Sequence, residues 1–356
     1  MKSKKYSKGF SIVELMVALL LGLFLVSGVA AMYISSKQSY RVTDNLSRLQ
    51  ESMRFSLELM AQDVRMAGYM PCRRSADARN LVTGGESGAN AWFLDFFNFG
   101  IRGYENSTNT PANNVLANTD AVVILKGGFY SSSVATQIDS SSTINLQESI
   151  PDGQFAQGDI AIICDPRKAS IFQISARTKG NSSTGGSVSY SASSNTIIPG
   201  NNSNDMGTYG SDAQITSFEP VMYFIRPSGQ TPNVNSLWRR YFTSGSTGTA
   251  QMITEELLEG IDSMQILYGV DSVLPNNQVV DRYVKADGVT DWEDVISVRI
   301  GLLMSTGEEV AAQIDTNTYN VAGTLIADTA TTPTHPADRK LRYVTNTTIN
   351  LRNRVQ

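Results

Sequence analysis

Histidine is almost missing from this 356-residue chain, which carries one, His335. Cysteine is nearly as scarce, with Cys72 and Cys164 alone. A structural zinc centre takes four Cys or His ligands, more than this chain owns. His335 lies in Thr334-His335-Pro336, a loop sequence with no Ser or Cys nucleophile setting beside it. There is no phosphate-binding glycine loop, no dinucleotide fingerprint and no spaced set of metal ligands. Charge is thin too: 17% of residues, with a formal net charge of -4, which excludes a general attraction to nucleic acid and leaves only local basic patches. Asp291, Glu293 and Asp294 flank Trp292 and mimic a carboxylate pair, but they read as a solvated turn leading into a strand at Val295. The chain is not expected to be an enzyme. No cofactor, metal or small-molecule substrate is expected either.

What is present is organised in two styles. Gly, Ser, Asn and Thr dominate after Gly84, the profile of a β-rich extracytoplasmic body with long polar loops. Before it, Lys2, Lys4, Lys5 and Lys8 precede an apolar run that meets no charge between Leu15 and Ser36. Roughly 20 residues at about 1.5 Å each cross a bilayer core of about 30 Å. The lysines favour a cytoplasmic N-terminus, so the rest is exported. Ala30-Ala31 and Ser35-Ser36 leave an ordinary signal-peptidase cut open at this point. Glu14, however, sits inside the start of the apolar helix, where a carboxylate costs about 2.5–3.5 kcal/mol near the bilayer centre and less at its edge. Such a residue normally marks a function and a partner.

Gly9-Phe10-Ser11-Ile12-Val13-Glu14-Leu15 resembles the processing motif of type IV prepilins. The resemblance implies a prepilin peptidase that cuts between Gly9 and Phe10, and methylation of the new Phe10 amine. It also implies a role for Glu14, the fifth mature residue: a salt bridge to the N-terminal amine of a neighbouring subunit during assembly. Two opposite charges facing low dielectric neutralise each other best between chains.

Past Lys37 the apolar pattern narrows to a stripe: Val42, Leu46, Leu49, Met53, Leu57, Met60 and Val64, at steps of three or four. Arg41, Asp44, Arg48, Glu51, Arg54, Glu58 and Asp63 take the other sides. No proline interrupts Phe10 to Met70, while Gly68 and Pro71 are stop signals. One helix is therefore predicted from Phe10 to about Ala67, apolar all round in its first half and amphipathic in its second. The stripe suits packing on a sheet; a free-standing coiled coil uses the same spacing.

From Leu81 the pattern predicts strands at Ala121–Leu125, Ile160–Cys164, Ile171–Ser175, Val221–Ile225, Leu237–Phe242, Met264–Val270, Val295–Met304 and Leu341–Leu351. Val298, Ile300, Leu302 and Met304 share a face opposite Arg299 and Gly301, so that strand should be half buried. A short helical turn is placed at Thr254–Glu259. Thr178–Asp212 is low in complexity and is expected as a mobile exposed loop, with Glu105–Asn118 behaving similarly. The fold class is α+β: a long helix, its amphipathic half packed on an antiparallel β-sheet head with long polar loops. Cys72, just past the helix, and Cys164, at the end of a strand, are candidates for a disulfide stapling helix exit to sheet; free thiols are the alternative. Arg239-Arg240 and Arg339-Lys340-Arg342, near Trp238, Tyr241 and Tyr343, are where DNA phosphates would bind in an uptake filament, or simply arginines on half-exposed strands.

Three later segments resemble the PilW family of minor pilins. They are Gln62-Asp63-Val64-Arg65-Met66-Ala67-Gly68-Tyr69 with Cys72, Leu258 to Asp271, and Leu341 to Asn353. Leu81 to Pro220 carries no such resemblance. The family implies a low-abundance subunit that primes pilus assembly near the tip and supports twitching motility, attachment or DNA uptake. Its partners would be other minor pilins, the major pilin and the inner-membrane assembly platform. The implied domains are a leader (1–9), a membrane and filament-core helix (10–36), an amphipathic half-helix (37–68) and a periplasmic head (69–356). The implied localisation is a single pass through the inner membrane, later the pilus or cell surface. Alternatives are a minor pseudopilin of type II secretion, or a tip adhesin or DNA-binding subunit. Relatives carry an acidic, glycine-rich loop suggestive of calcium after the Tyr-Gly-Val-Asp segment. Here Asp271 is followed by Ser272-Val273-Leu274-Pro275, without alternating oxygen ligands, so no metal is expected there.

Overall fold

The computed structural model describes residues 11–72, 77–85, 91–107, 109–138, 142–181, 183–192, 197, 199–244, 250–273, 277–329 and 334–353. It opens with α1 (Ile12–Arg65), 54 residues and about 80 Å long. Every position of the apolar stripe from Val42 to Val64 is buried or half-buried. From Ile12 to Tyr40, by contrast, no residue is buried, and this part is long and apolar enough to cross a membrane. Gly68, with φ 71°, takes the left-handed conformation that turns the chain away from the helix end. One charged residue departs from expectation: Asp63 is not on the solvent side but buried, at 9% exposure.

Nineteen strands follow among the described residues. The first ten are β1 (Asp77–Asn80), β2 (Ile101–Tyr104), β3 (Ala121–Ile124), β4 (Gly127–Ile138), β5 (Thr143–Leu146), β6 (Ile160–Cys164), β7 (Lys168–Gln173), β8 (Ala176–Thr178), β9 (Ser187–Ser189) and β10 (Gln214–Phe218). The rest are β11 (Val221–Pro227), β12 (Asn235–Ser244), β13 (Ala250–Glu259), β14 (Ile261–Val270), β15 (Arg282–Val284), β16 (Val295–Ser305), β17 (Tyr319–Val321), β18 (Thr324–Ile326) and β19 (Arg342–Asn350). They form an eight-stranded sheet in the order β1-β7-β6-β10-β4-β5-β9-β8, a five-stranded sheet β13-β12-β11-β3-β2, a four-stranded sheet β15-β14-β16-β19, and the hairpin β17-β18. Pairing is antiparallel except between β1 and β7. The fold is α+β, as the pattern of elements predicted.

Strand alternation explains how the layers stack. Val122 and Ile124 of β3, with Val221, Tyr223 and Ile225 of β11, join one core with Met60 and Val64 of α1 and the inner face of the four-stranded sheet. Their neighbours Ala121, Val123, Met222 and Phe224 face a second core with Phe93, Phe96 and Ile160 and Ile162 of β6. Ala161 and Ile163 point the other way, into a third core. The five- and eight-stranded sheets are thus covered on both faces, which is why β3, β6 and β11 read as unbroken apolar runs.

Four expectations are corrected. Thr254–Glu259 is not a helical turn but the second half of β13. Its Glu and Leu residues favour helix locally, but pairing with β12 overrides them, Arg239 lying opposite Glu255 in register. Residues 178–212 are not an exposed loop throughout. They contribute β9, and Val188, Tyr190, Met206 and Tyr209 seal the third core while Asn201 bonds to the Gln173 backbone from a buried position. A few large side chains in a polar sequence suffice when the neighbouring sheet supplies the other apolar surface. The Glu105–Asn118 run is likewise fastened: Ser107 donates to the Leu116 and Thr119 carbonyl oxygens, and the Leu116 N–H donates to Ile225. Finally, β16 is buried on both faces rather than one, because Val321 and Ile326 of the β17-β18 hairpin cover Leu303.

Candidate assembly site and helix-exit clamp

Gly9 and Phe10 lie outside the described residues. Glu14 stands in the first turn of α1, where its Oε2 accepts from the Ser11 N–H at 3.2 Å, while the Ser11 hydroxyl oxygen accepts from the Val13 N–H at 3.4 Å. This reciprocal cap holds an exposed carboxylate at the positive end of the helix dipole, surrounded by Val13, Val17, Ala18 and Leu21. Among the described residues no basic side chain pairs with it. Chemically, the site is an anion set in an apolar collar.

The other end of α1 is locked to the head by the expected Cys72–Cys164 disulfide and by groups that sequence reasoning did not single out. Asp63 Oδ1 meets the Lys126 ammonium at 2.9 Å, and its Oδ2 accepts from the Tyr223 hydroxyl at 2.6 Å. Burial, and then Asp63 itself, push the Tyr223 hydroxyl well above its ordinary pKa, so it remains a donor. A carboxylate near a helix C-terminus opposes the dipole, and Lys126 offsets that conflict. The chain then runs edge-on to the sheet: the Gly68 N–H donates to the Leu125 carbonyl oxygen at 2.8 Å, and the Gly127 N–H to that of Tyr69 at 2.7 Å. Gly100 closes against Gly68 so tightly that a Cβ on Gly100 would stand 2.6 Å from the Gly68 Cα. Beyond, Cys72 and Cys164 are joined in a disulfide that ties the exit to β6. The sequence pattern grouped Asp63 with the charges away from the stripe; its place in the segment Gln62 to Tyr69 was the one hint, and the structure turns it inward beside Val64.

Two further sets of contacts lie along β19, one at this exit and one at the opposite end of the strand. The Arg352 N–H donates to the Arg65 carbonyl oxygen and the Asn353 amide to that of Ala67, both at 3.3 Å, so the end of the chain satisfies carbonyls that the helix leaves open. Further along, Arg342 is a buried hub, its side chain 1% exposed. It reaches Asp262 at 2.9 Å, Asp315 at 3.0 Å and Asp338 at 2.7 Å. Burial raises the Asp262 pKa against the pull of Arg342, whereas for Asp315 and Asp338 hydrogen bonds overcome burial and lower it. The segment around β19 thus meets the helix exit just past its last residues and β14, through Asp262, at its first.

The remaining candidates are committed elsewhere. His335 is 3% exposed, with Nε2 at 2.8 Å from the Asn317 carbonyl oxygen and Nδ1 at 3.0 Å from that of Pro336. Asp291 caps the turn Trp292–Asp294 by accepting from the Glu293 N–H. The Asp271 carboxylate accepts from the Gln278 N–H at 2.6 Å. Arg239 is engaged by Glu255, Arg240 by the Pro111 carbonyl oxygen and the Trp92 ring, and Arg342 by its three aspartates.

Residues 222–353 match the family model described as Type IV pilus-assembly protein W, and residues 4–30 match the prokaryotic N-terminal methylation motif. No curated protein and no solved structure matches the chain. The first match starts inside β11 and takes in the four-stranded sheet and the Arg342 hub; the second spans Glu14 and its collar. With a bare, capped helix at one end and that sheet at the other, the chain is similar to type IV pilin-like proteins, carrying the N-terminal methylation motif at its start and a PilW family region over residues 222–353.

Proposed function

We propose that this protein is a minor pilin of a type IV pilus, a low-abundance subunit that primes assembly with other minor pilins and sits near the filament tip. The observation that supports this reading is the split nature of α1: uncovered from Ile12 to Tyr40, then clamped to a large head from Leu49 onward. A bare half-helix serves first as a single-pass inner-membrane anchor with its N-terminus cytoplasmic and its head periplasmic, and later as part of a filament core. Prepilin peptidase removes residues 1–9 between Gly9 and Phe10, the Phe10 amine is methylated, and Glu14 docks on a neighbour's amine. Residues 10–36 form the membrane and core segment, 37–68 the head-packed half, and 69–356 the head. Major pilin, other minor pilins and the assembly platform are its partners; twitching, attachment and DNA uptake follow from the filament. Nothing in this reading calls for catalysis.

Deletion of the gene should sharply reduce surface pili while major pilin is still made, and the full-length gene should restore them. Normal piliation with lost protein secretion would instead identify a type II secretion pseudopilin. Mass spectrometry of the mature N-terminus should find Phe10 first, carrying a methyl group. A chain retaining Met1 or cut after Ala31 overturns the prepilin reading.

A further inference from the structure

A group of ionisable side chains, buried except for the half-exposed Lys285, lies away from the helix clamp, where the five-stranded sheet meets the four-stranded one. Asp120, 3% exposed, precedes β3. Its N–H donates to the Met264 carbonyl oxygen at 2.9 Å, and its Oδ2 accepts from the Ile266 N–H at 2.7 Å, so it pairs with β14 twice. Its Oδ1 accepts from the Asn106 N–H at 3.0 Å. Beside it, Glu105 Oε1 holds the Lys285 ammonium at 2.7 Å, but Glu105 Oε2 is buried with no hydrogen-bond partner among the described residues. The Tyr268 hydroxyl, on β14, is also buried with no hydrogen-bond partner among the described residues. Gly103 of β2 lies so close to that hydroxyl that no Cβ fits there. Buried acceptors and donors left unmatched are costly, and two carboxylates with one ammonium leave a negative charge in low dielectric.

We propose that Glu105, Asp120, Tyr268 and Lys285 form a proton-loaded fastener between the two sheets, with one proton held on the Asp120 carboxyl in the folded head. The proton removes the excess charge that two carboxylates would otherwise place beside one ammonium. Burial, and then the Glu105 charge, raise the Asp120 pKa from 3.8 to about 7, against the backbone N–H groups of Asn106 and Ile266 and the Lys285 charge. The other charged or titratable groups facing the cluster are Tyr268, pushed far up by burial and by both carboxylates, and Asp287, which faces Lys285. Because the folded value lies above the unfolded one, the stabilisation is complete below the unfolded value. It is lost as pH rises and is gone above about 7. Neutral and alkaline conditions loosen the joint; mild acid tightens it.

The test is urea unfolding of the full chain in detergent micelles, wild type beside Asp120→Asn, across mildly acid to mildly alkaline pH. The ratio of the two folding equilibrium constants should fall about tenfold per pH unit between about pH 5 and 7 and then level off. Glu105→Gln should move that fall to lower pH, since it removes the neighbouring charge. A ratio that stays flat with pH overturns the proposal. If Asp120→Asn does not fold, infrared spectroscopy of the wild type decides: a protonated-carboxyl band present in mild acid and lost in mild alkali supports it. Absence of that band at about pH 6 overturns it.

Discussion

Removing the Asp63 charge tests whether α1 is held by the clamp or merely by its apolar stripe. In Asp63→Leu, Lys126, with a side chain 8% exposed, keeps only Glu219 at 3.4 Å as a counter-charge, with the Phe129 ring 5.5 Å away, and Glu219 is itself 45% exposed. The Tyr223 hydroxyl loses its acceptor in a fully buried position. Breaking a buried ion pair from one side costs about 3–5 kcal/mol, and the residual hold of Glu219 places this variant near about 3 kcal/mol. Lys126→Met leaves the carboxylate with the Tyr223 hydroxyl and should cost about 2 kcal/mol. Replacing both together exchanges an ion pair for apolar side chains of similar size, so the double variant should lose no more than Asp63→Leu alone. The cycle then yields a coupling energy of about 2 kcal/mol. Urea unfolding of the full chain in micelles measures all three losses. Single losses that add to within about 0.5 kcal/mol in the double variant would refute the pairing as the cause.

Three further outcomes follow from the same geometry. Glu14→Gln should be processed and reach the membrane but be depleted from sheared filaments, since it keeps the cap and discards the anion; equal incorporation with wild type would remove the docking role. Cys72→Ser opens a bridge across a sequence separation of 92 and should cost about 4 kcal/mol, read as a lower urea midpoint that wild type reaches only with reductant. Arg342→Lys keeps a charge but offers no fork to Asp262, Asp315 and Asp338, so it should lose about 3 kcal/mol in the same assay, and an unchanged midpoint would mean that the hub is not structural.

Much of the architecture was legible because it obeys simple periods. The stripe Val42 to Val64 announced α1, and runs such as Ala121–Val122–Val123–Ile124 announced central strands. Glu14 stood out because a lone acid in an apolar run has no packing explanation. Asp63 was missed for the opposite reason: in an amphipathic helix acids are expected, and only the third dimension brings Lys126 and Tyr223 to it. Thr254–Glu259 misled because Glu and Leu favour helix, while the partner that makes it a strand lies across a turn in β12. The 178–212 stretch misled by composition. Tyr190 and Tyr209 are too sparse to show a period, but each completes a core whose other wall comes from β6 and β7.

The start of the family match coincides with a topological feature. β3 and β11 are hydrogen-bonded neighbours, Ile124 opposite Val221, so the chain leaves the five-stranded sheet and returns to it at adjacent points. The Glu219 N–H donates to the Lys126 carbonyl oxygen at 2.8 Å, closing the two ends of the excursion on each other. A segment whose ends already meet can change length and sequence at small entropic cost and without moving the frame around it. β4 to β10 form that segment, and the family match begins just after its return, at residue 222. The excursion still bears on the helix. Cys164 of β6 is bonded to Cys72, and Lys126, at its point of departure, holds Asp63. Any pull on α1 therefore reaches the β4–β10 excursion and the five-stranded sheet at the same few residues.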